Sequence, residues 1–224
     1  MKLLALDTST ENCSVALWLD GEVLSRQELA GQRHSDLILP MLEDLLGEAG
    51  ITLKSLDGIA FGEGPGSFTG LRIGCGVAQG LALGADLPVL GISTLLALAA
   101  AAPGDRVLAC LDARIGEIYH AAYEKQQGVW HAVSEPSLCY AKDAPDLPGA
   151  GWIGAGSAFA AYAEALQQRY GELLLSFDGS VYPQARDMVK LAAPLFGQGL
   201  GGDAALAAPL YIRNKVAMKT VERA

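Results

Sequence analysis

The pattern of hydrophobic and polar positions divides the first hundred residues into short strands and longer helices. Apolar residues alternate or run together for a few positions and then give way to helical spacing. The dipeptide Asp20-Gly21 between two such runs indicates a hairpin, while Gly50 marks a helix end and Ser67 a helix start. The predicted strands are 3–7, 14–19, 22–29, 57–61 and 88–91, and the predicted helices are 35–49, 67–84 and 93–102.

The same order of elements recurs in the second half, after a break at Pro103-Gly104. This duplication predicts an α/β fold with two lobes, each a mixed sheet with helices, as in the actin-like (ASKHA, ribonuclease H-like) architecture. We expect lobes at 1–103 and 104–224, and the tail 209–224 either extends or packs back on the first lobe. The predicted strands are 106–112, 117–123, 129–133, 137–140, 152–154 and 173–177, and the predicted helices are 157–170 and 183–196.

Composition is typical of a compact α/β protein. Hydrophobic residues fill 51% of the 224 positions and charged residues 18%, which excludes a disordered chain. The net charge of −9 argues against a broad nucleic-acid-binding surface, since phosphate contacts need clustered Lys and Arg. The apolar run 95–102 is too short to span a membrane, and Asp7 interrupts the N-terminal apolar run too early for a signal peptide. We therefore expect a cytoplasmic protein with no membrane partner and with free cysteine thiols.

Asp7, Thr8 and Ser9 follow the first strand, where a nucleotide-binding lobe places an acidic residue and hydroxyls near Mg²⁺ and phosphate. The turn 8–13 contains no glycine, although such turns use glycine to let the backbone approach a phosphate. These three residues are candidates for cofactor binding, and capping of the turn by Asp7 and Thr10 is the alternative. Overall we expect no cofactor.

The glycine-rich run 62–70 joins a predicted strand to a helix. It matches neither the P-loop nor the dinucleotide-binding pattern, so a strand-to-helix elbow capped by Ser67 is the structural interpretation. Each mid-helix glycine costs about 0.8–1 kcal/mol relative to alanine, and close approach of another helix would recover that loss. The small residues form two rows along this helix: Gly70, Gly74, Ala78 and Ala82, and then Gly76, Gly80 and Gly84.

The helix predicted at 35–49 carries apolar residues on two neighbouring rows, which is wider than a one-sided surface helix needs. Either the fold covers both rows, or part of the helix meets another protein. Together with the glycine-bearing helix 67–84, this pattern predicts a partner interface made by the two helices. The candidate interface residues are His34, Leu37, Ile38, Met41, Leu42, Leu45, Gly70, Leu71, Gly74, Val77, Ala78 and Leu81.

The sequence predicts neither a catalytic set nor a metal site. Its three histidines form no i,i+4 pair, and it contains no G-x-S-x-G elbow. Asp112-Ala113-Arg114, after the first strand of the second half, is either an echo of the Asp7 site or an ordinary Asp–Arg turn pair. The basic tail residues are either solvated or dock on RNA or an acidic partner. They are Arg213, Lys215, Lys219 and Arg223.

Several of these segments together resemble the bacterial TsaB (YeaZ) family, and the resemblance covers most of the chain. They are Asp7-Thr8-Ser9, Arg33-His34-Ser35 with Leu39-Pro40, the distinctive run 64–74, Gly91-Ile92-Ser93-Thr94, Asp112-Ala113-Arg114 and Pro209-Leu210-Tyr211-Ile212-Arg213. The resemblance implies an actin-like subunit related to TsaD-type enzymes. With such an enzyme and a TsaE-type ATPase, the family makes the threonylcarbamoyl modification of the tRNA adenosine next to the anticodon.

The resemblance also implies that this chain is non-catalytic. Catalytic relatives carry a metal-binding H-x-x-x-H in the segment that matches 91–98, and Thr94 and Leu98 take the two histidine positions here. Leucine cannot ligate a metal, and threonine is a poor ligand for one. We therefore expect a scaffold that forms a homodimer or a heterodimer with a TsaD-type paralogue and reaches tRNA only through the complex. The alternatives are a nucleotide-binding phosphotransferase of the actin/hexokinase type, or a glycoprotease-like peptidase as in an old label of the family.

Overall fold

The first lobe is a five-stranded mixed sheet whose strands match the predicted apolar runs. The computed structural model describes residues 1–212. Three consecutive strands pair antiparallel and two more run parallel to the first, in the order β3-β2-β1-β4-β5. The predicted hairpin is confirmed, since Asp20 and Gly21 both have positive φ between β2 and β3. The strands are β1 (Lys2–Asp7), β2 (Asn12–Leu19), β3 (Glu22–Leu29), β4 (Gly58–Gly64) and β5 (Val89–Ser93).

Two helices cover one face of this sheet. α1 (His34–Ala49) ends at Gly50, whose left-handed φ of 64° stops the helix as predicted. α2 (Phe68–Ala85) begins after Ser67, whose Oγ accepts a hydrogen bond from the Gly70 N–H at 3.3 Å. The apolar stripes of both helices pack in a single core with side chains of β1, β2 and β4.

A third helix, α3 (Thr94–Ala101), is apolar on all sides because both lobes cover it. Leu95 and Leu98 pack in the core of the second lobe, whereas Ala97 packs behind the first sheet. The lobes are therefore joined through a continuous apolar contact as well as through the chain itself.

The second lobe repeats the plan of the first. Its strand order, β10-β9-β6-β7-β8, reproduces the first sheet strand for strand and confirms the duplicated two-lobed fold. Two elements are divided differently from the predictions: residues 129–140 form one strand instead of two, and the helix predicted at 157–170 breaks at Tyr162, whose φ is −132°. The elements are β6 (Arg106–Arg114), β7 (Glu117–Gln126), β8 (Val129–Tyr140), β9 (Trp152–Ala155), α4 (Ala158–Ala161), α5 (Ala163–Tyr170) and β10 (Leu174–Asp178).

The chain then returns to the first lobe, which corrects the predicted division at residue 103. α6 (Ala185–Gly197) packs Met188 and Val189 against the face of the first sheet that α1 and α2 leave open. Beyond it, the Leu210 N–H donates to the Glu63 carbonyl at 2.7 Å. The first lobe thus includes α6 and part of the segment that follows. Local periodicity predicted this helix but carries no information about which sheet it covers.

Some predictions concern the whole chain rather than one lobe. Within residues 1–212, no helix has the length and apolarity that a membrane span needs. The predicted free thiols are confirmed: Cys13, Cys75 and Cys110 are buried, Cys139 is half-buried, and all four are unbridged. Burial raises the pKa of the Cys13 thiol to about 12, which makes it unreactive. Arg213, Lys215, Lys219 and Arg223 of the basic tail lie outside the described residues.

Candidate functional site and partner surface

Asp7 ends β1 in a fully buried position, and its neighbours Thr8 and Ser9 are at most 2% exposed. The carboxylate of Asp7 accepts hydrogen bonds from the Ser9 hydroxyl at 3.0 Å and from the Ser9 N–H at 3.3 Å. Burial raises the pKa of Asp7 to about 7, and the Ser9 hydrogen bonds offset only part of that rise. Asp7 therefore caps its own turn, which is the alternative that the sequence left open.

The polar groups of this turn form hydrogen bonds with residues at the start of α2. The Thr8 hydroxyl donates to the Gly70 carbonyl at 2.7 Å, and the Ser67 N–H donates to the Ser9 carbonyl at 2.7 Å. A Cβ at Gly70 would collide with the Thr8 carbonyl oxygen, and one at Gly74 would lie 2.7 Å from Thr8 Oγ1. The first glycine row therefore lets α2 lie directly on its own β1–β2 turn.

Asp112 lies near the end of β6, where the second lobe repeats the position of Asp7. It accepts hydrogen bonds from the Tyr162 hydroxyl at 2.8 Å and from the Arg114 N–H at 2.7 Å, and the Arg114 guanidinium lies 3.1 Å away. The same guanidinium reaches Glu11 of the first lobe at 3.5 Å. Asp112 therefore occupies the position equivalent to Asp7 in the second lobe, but its contacts are those of an Asp–Arg turn pair.

A cleft of about 1180 Å³ separates the lobes. The first lobe lines it with residues 9–11 and the start of α2, and the second lobe lines it with residues 111–115. Arg72, one of the lining residues, lies 3.3 Å from the ring centroid of Phe68 and 5.4 Å from that of Tyr211. Asp7 and Thr8 do not line the cleft. Of the three residues that the sequence singles out for phosphate, only Ser9 therefore lines the space that a nucleotide would enter.

The candidate interface residues divide into two groups. Eight of them are buried inside the first lobe: His34, Ile38, Leu42, Leu45, Gly70, Leu71, Gly74 and Ala78. The remaining four, Leu37, Met41, Val77 and Leu81, are half-buried at the edge of the same core. The buried residues are covered by the chain itself, so a partner would meet at most the half-buried four. Helical periodicity predicted the rows correctly but not which row faces the sheet.

The second small-residue row of α2 faces outward. A Cβ built at Gly76, Gly80 or Gly84 would meet no atom of residues 1–212 within 4 Å. Leu83 beside this row is 57% exposed, and Leu39 on α1 is 44% exposed. We call this surface, made by Gly76, Gly80, Gly84, Leu83 and Leu39, the helical face. The sequence recorded this glycine row, but it gave no sign that this row is the one left open.

Comparisons with known proteins cover nearly the whole chain. A family model described as TsaD, tRNA N6-adenosine threonylcarbamoyltransferase, matches residues 21–221. The tRNA threonylcarbamoyladenosine biosynthesis protein TsaB of Escherichia coli K12 is 43% identical, over 98% of this chain and 97% of its own length. The chain belongs to the TsaB (YeaZ) family. A solved structure of YeaZ from Pseudomonas aeruginosa agrees, with a TM-score of 0.87 and 42% identity over 94% of this chain and 99% of that chain.

Thr94 and Leu98 occupy the two positions where the family resemblance implies histidines in catalytic relatives. Thr94 and Leu98 are fully buried in α3, and Thr94 Oγ1 has no hydrogen-bond partner within residues 1–212. In the same part of the chain, no group of three His, Cys, Asp or Glu side chains could hold a metal ion. His120 is buried beside the Tyr170 hydroxyl at 3.2 Å, and burial lowers its pKa to about 4. This histidine is therefore a neutral part of the core.

Proposed function

We propose that this chain is a non-catalytic subunit of a cytoplasmic complex that threonylcarbamoylates the tRNA adenosine next to the anticodon. It would act with a TsaD-type enzyme and a TsaE-type ATPase, and it would reach tRNA through the complex. Support comes from its family, whose relatives are named as tRNA threonylcarbamoyladenosine biosynthesis proteins. A further relative, named as a tRNA N6-adenosine threonylcarbamoyltransferase from Trichlorobacter lovleyi, is 33% identical over 41% of this chain and 32% of its own length.

The observation that carries the proposal is the open glycine row of the helical face. Gly76 and Gly80, in the interior of α2, each cost about 0.8–1 kcal/mol relative to alanine, and Gly84 continues their row into the last turn. Residues 1–212 place nothing against them that would recover the loss. A partner helix that approaches the backbone of α2 closely would recover it through dispersion and burial of the adjacent leucines. The same face is compatible with a homodimer or with a TsaD-type paralogue.

The buried polar turn supports the non-catalytic part of the proposal. Asp7 and Thr8 are held by Ser9 and Gly70, and α2 and β4 lie on them. Releasing them toward a metal or a phosphate would require α2 to move away from the sheet. A phosphotransferase of this fold would instead keep its acidic residue open to the cleft. The alternative predicts that ATP stabilises the protein and that Asp7→Ala abolishes the effect, which thermal unfolding with and without ATP would measure.

The test of the proposal is size-exclusion chromatography with light scattering on this chain, alone and mixed with the TsaD-type protein of the same organism. We expect a one-to-one complex, and a homodimer of the chain alone would give way to it. Gly80→Gln should weaken that complex at least tenfold, because a long side chain then separates the two helices. The same change should raise the melting temperature of the free chain, since Gln is the better helix former.

Gly197→Gln is the matched control. Gly197 is also an exposed helical glycine with no neighbour within 4 Å of an added Cβ, but it lies at the end of α6, away from the helical face. It should leave the complex unchanged. A chain that remains monomeric and ignores the TsaD-type protein would refute the proposal. Equal affinities for the two glutamine variants would refute the helical face as its site.

A further inference from the structure

Arg72 lines the cleft between the lobes and lacks the carboxylate partner that the other described arginines have. The other six arginines of residues 1–212 each form an ion pair with Asp or Glu. Arg72 is exposed and forms none within those residues, although the chain contains 25 acidic and only 16 basic residues. Its guanidinium instead stacks on the rings of Phe68 and Tyr211. The positive charge of Arg72 is therefore available to an anion from outside the described residues.

The two rings beside Arg72 are open to solvent. Phe68 and Tyr211 are each 42% exposed, and their ring centroids lie 5.7 Å apart. Neither ring belongs to the hydrophobic cores of the two lobes. A guanidinium stacked on a ring is held in one plane, so its edge can donate hydrogen bonds to a phosphate while aromatic surface remains for a nucleobase to stack on. We call Phe68, Arg72 and Tyr211 the aromatic corner.

Positive charge also follows the aromatic corner in the sequence. The charged residues that line the cleft are Glu11, Arg72, Asp112 and Arg114. The Arg114 guanidinium lies within 3.5 Å of both carboxylates, so they are already partly neutralised. From Ile212, which also lines the cleft, the chain continues into the tail 213–224, which contains four basic residues and one acidic residue. A chain with a net charge of −9 thus carries a basic segment directly after the aromatic corner.

We propose that the aromatic corner, together with the basic tail, binds a single-stranded segment of RNA. Bases would stack on the rings, and phosphates would pair with Arg72 and the tail. A single strand fits better than a duplex, whose bases already cover each other's faces. An acidic protein segment would use the charges but not the rings. The inference rests on the proposed function for the identity of the RNA, which would be tRNA held mainly by the rest of the complex.

The test is a titration of a fluorescein-labelled, single-stranded RNA of about 12 nucleotides with the intact chain. Fluorescence anisotropy would follow it between about 0.05 and 0.2 M NaCl. Arg72→Gln should weaken binding at least about fivefold and reduce the slope of log K against log salt by about 0.7, the value for one phosphate contact on a single strand. Tyr211→Ala should weaken binding by a similar factor but leave the slope unchanged, because stacking releases no counterions.

Arg186→Gln is the matched control, since it makes the same change in net charge. Arg186 lies on α6, its side chain is 47% exposed, and it does not line the cleft. It should leave the RNA affinity and the slope unchanged. Arg72→Lys separates charge from stacking, because it should restore the slope but only part of the affinity. Circular dichroism melting would establish that each variant is folded.

An acidic protein is the competing occupant, and a labelled polyglutamate peptide tests it in the same titration. We expect the peptide to bind at least about fivefold more weakly than the RNA, because it has no base to stack on the rings. A peptide that binds as tightly as the RNA, and loses that affinity in Arg72→Gln, would overturn the RNA assignment. The aromatic corner would then be a site for an acidic protein.

The outcomes separate this inference from the proposed function. Weaker RNA binding by Arg72→Gln and Tyr211→Ala, but not by Arg186→Gln, would support it. Equal RNA affinities for Arg72→Gln and Arg186→Gln would overturn it and leave the proposed function standing, as would absence of RNA binding at the lowest salt concentration. If RNA binding depends on Arg72 but the chain forms no complex with the TsaD-type protein, the RNA site stands and the proposed function fails.

Discussion

Asp7 and Asp112 occupy the same place in the two lobes, yet they are held in opposite ways. Asp7 is fully buried with hydrogen bonds from Ser9, whereas Asp112 keeps 13% of its side chain exposed and is paired with Arg114 and Tyr162. The desolvation penalty of the first carboxylate is offset only in part, by hydrogen bonds from Ser9, whereas the second carboxylate is paired with a cation. An acidic residue retained at the same position of a duplicated fold therefore serves two different structural roles, and its presence alone indicates no chemistry.

The turns that follow the two aspartates also differ, because the first is covered by a helix and the second is exposed. α2 packs directly on the β1–β2 turn at Gly70 and Gly74. The β6–β7 turn instead projects into the cleft and presents Ile115, which is 56% exposed at a φ of 59°. A β-branched residue in the left-handed region is strained, so the tight turn must be held by its strands. In the first lobe α2 thus covers the turn that follows the aspartate, whereas in the second lobe the corresponding turn is exposed to the cleft.

The largest effect should come from neutralising Asp7. A pKa of about 7 in place of 3.8 corresponds to about 4 kcal/mol. Because the folded value is the higher one, this stability is fully present below about pH 4 and is lost as the pH rises through about 7. Asp7→Asn cannot titrate, so its free energy of unfolding minus that of the wild type should rise by about 4 kcal/mol between pH 4 and pH 8.

Urea denaturation across that pH range measures this difference, and the other titrating groups cancel because both proteins contain them. A difference that stays constant with pH would mean that Asp7 is not a buried, uncompensated acid. In that case the contrast with Asp112 would fail.

The second-largest effect on the free energy of unfolding should come from Gly70, where α2 packs on the β1–β2 turn. Gly70→Ala places a Cβ against the Thr8 carbonyl oxygen, which is backbone and cannot rotate away, so we expect a loss of about 1–3 kcal/mol. Gly80→Ala in the same helix meets open space and should gain about 0.8–1 kcal/mol. Urea denaturation of the pair tests this difference in sign. Stabilisation by both substitutions would show that α2 does not lie against the turn.

Local sequence signals predicted most of the strands and helices. They failed where contacts between distant parts of the chain determine the position or the end of an element. Gly50 and Ser67 set the helix ends that the sequence predicted, because caps depend on backbone groups within one turn. The position of α6 on the first sheet could not be predicted, since an apolar stripe does not specify which sheet covers it. The break at Tyr162 was missed for a similar reason. Its hydroxyl bonds Asp112, fifty residues away.

At the candidate site, the sequence likewise did not reveal which of the two glycine rows of α2 faces the sheet. Periodicity assigned Gly70 and Gly74 to one row and Gly76 and Gly80 to another, and both rows are equally small. Which row meets the sheet depends on the Thr8 carbonyl and hydroxyl, which α2 contacts only after the strands have paired. Sequence reasoning therefore identified the two rows of α2, but it assigned to a partner surface several residues that the first lobe itself buries.

The smallest effect should come from the second lobe, where the acid is compensated. Tyr162→Phe removes the hydrogen bond to Asp112 and the acceptor of the Gly116 N–H at 3.3 Å, but Arg114 still pairs with the carboxylate. We expect a loss of about 0.5–1.5 kcal/mol in the free energy of unfolding, measured by urea denaturation. Tyr140→Phe, on a tyrosine that is 45% exposed, is the control and should change little. A loss above about 3 kcal/mol would mean that Asp112 was left as an uncompensated charge. Tyr162 rather than Arg114 would then be the group that compensates the Asp112 carboxylate, and the contrast with Asp7 would rest on a hydrogen bond instead of an ion pair.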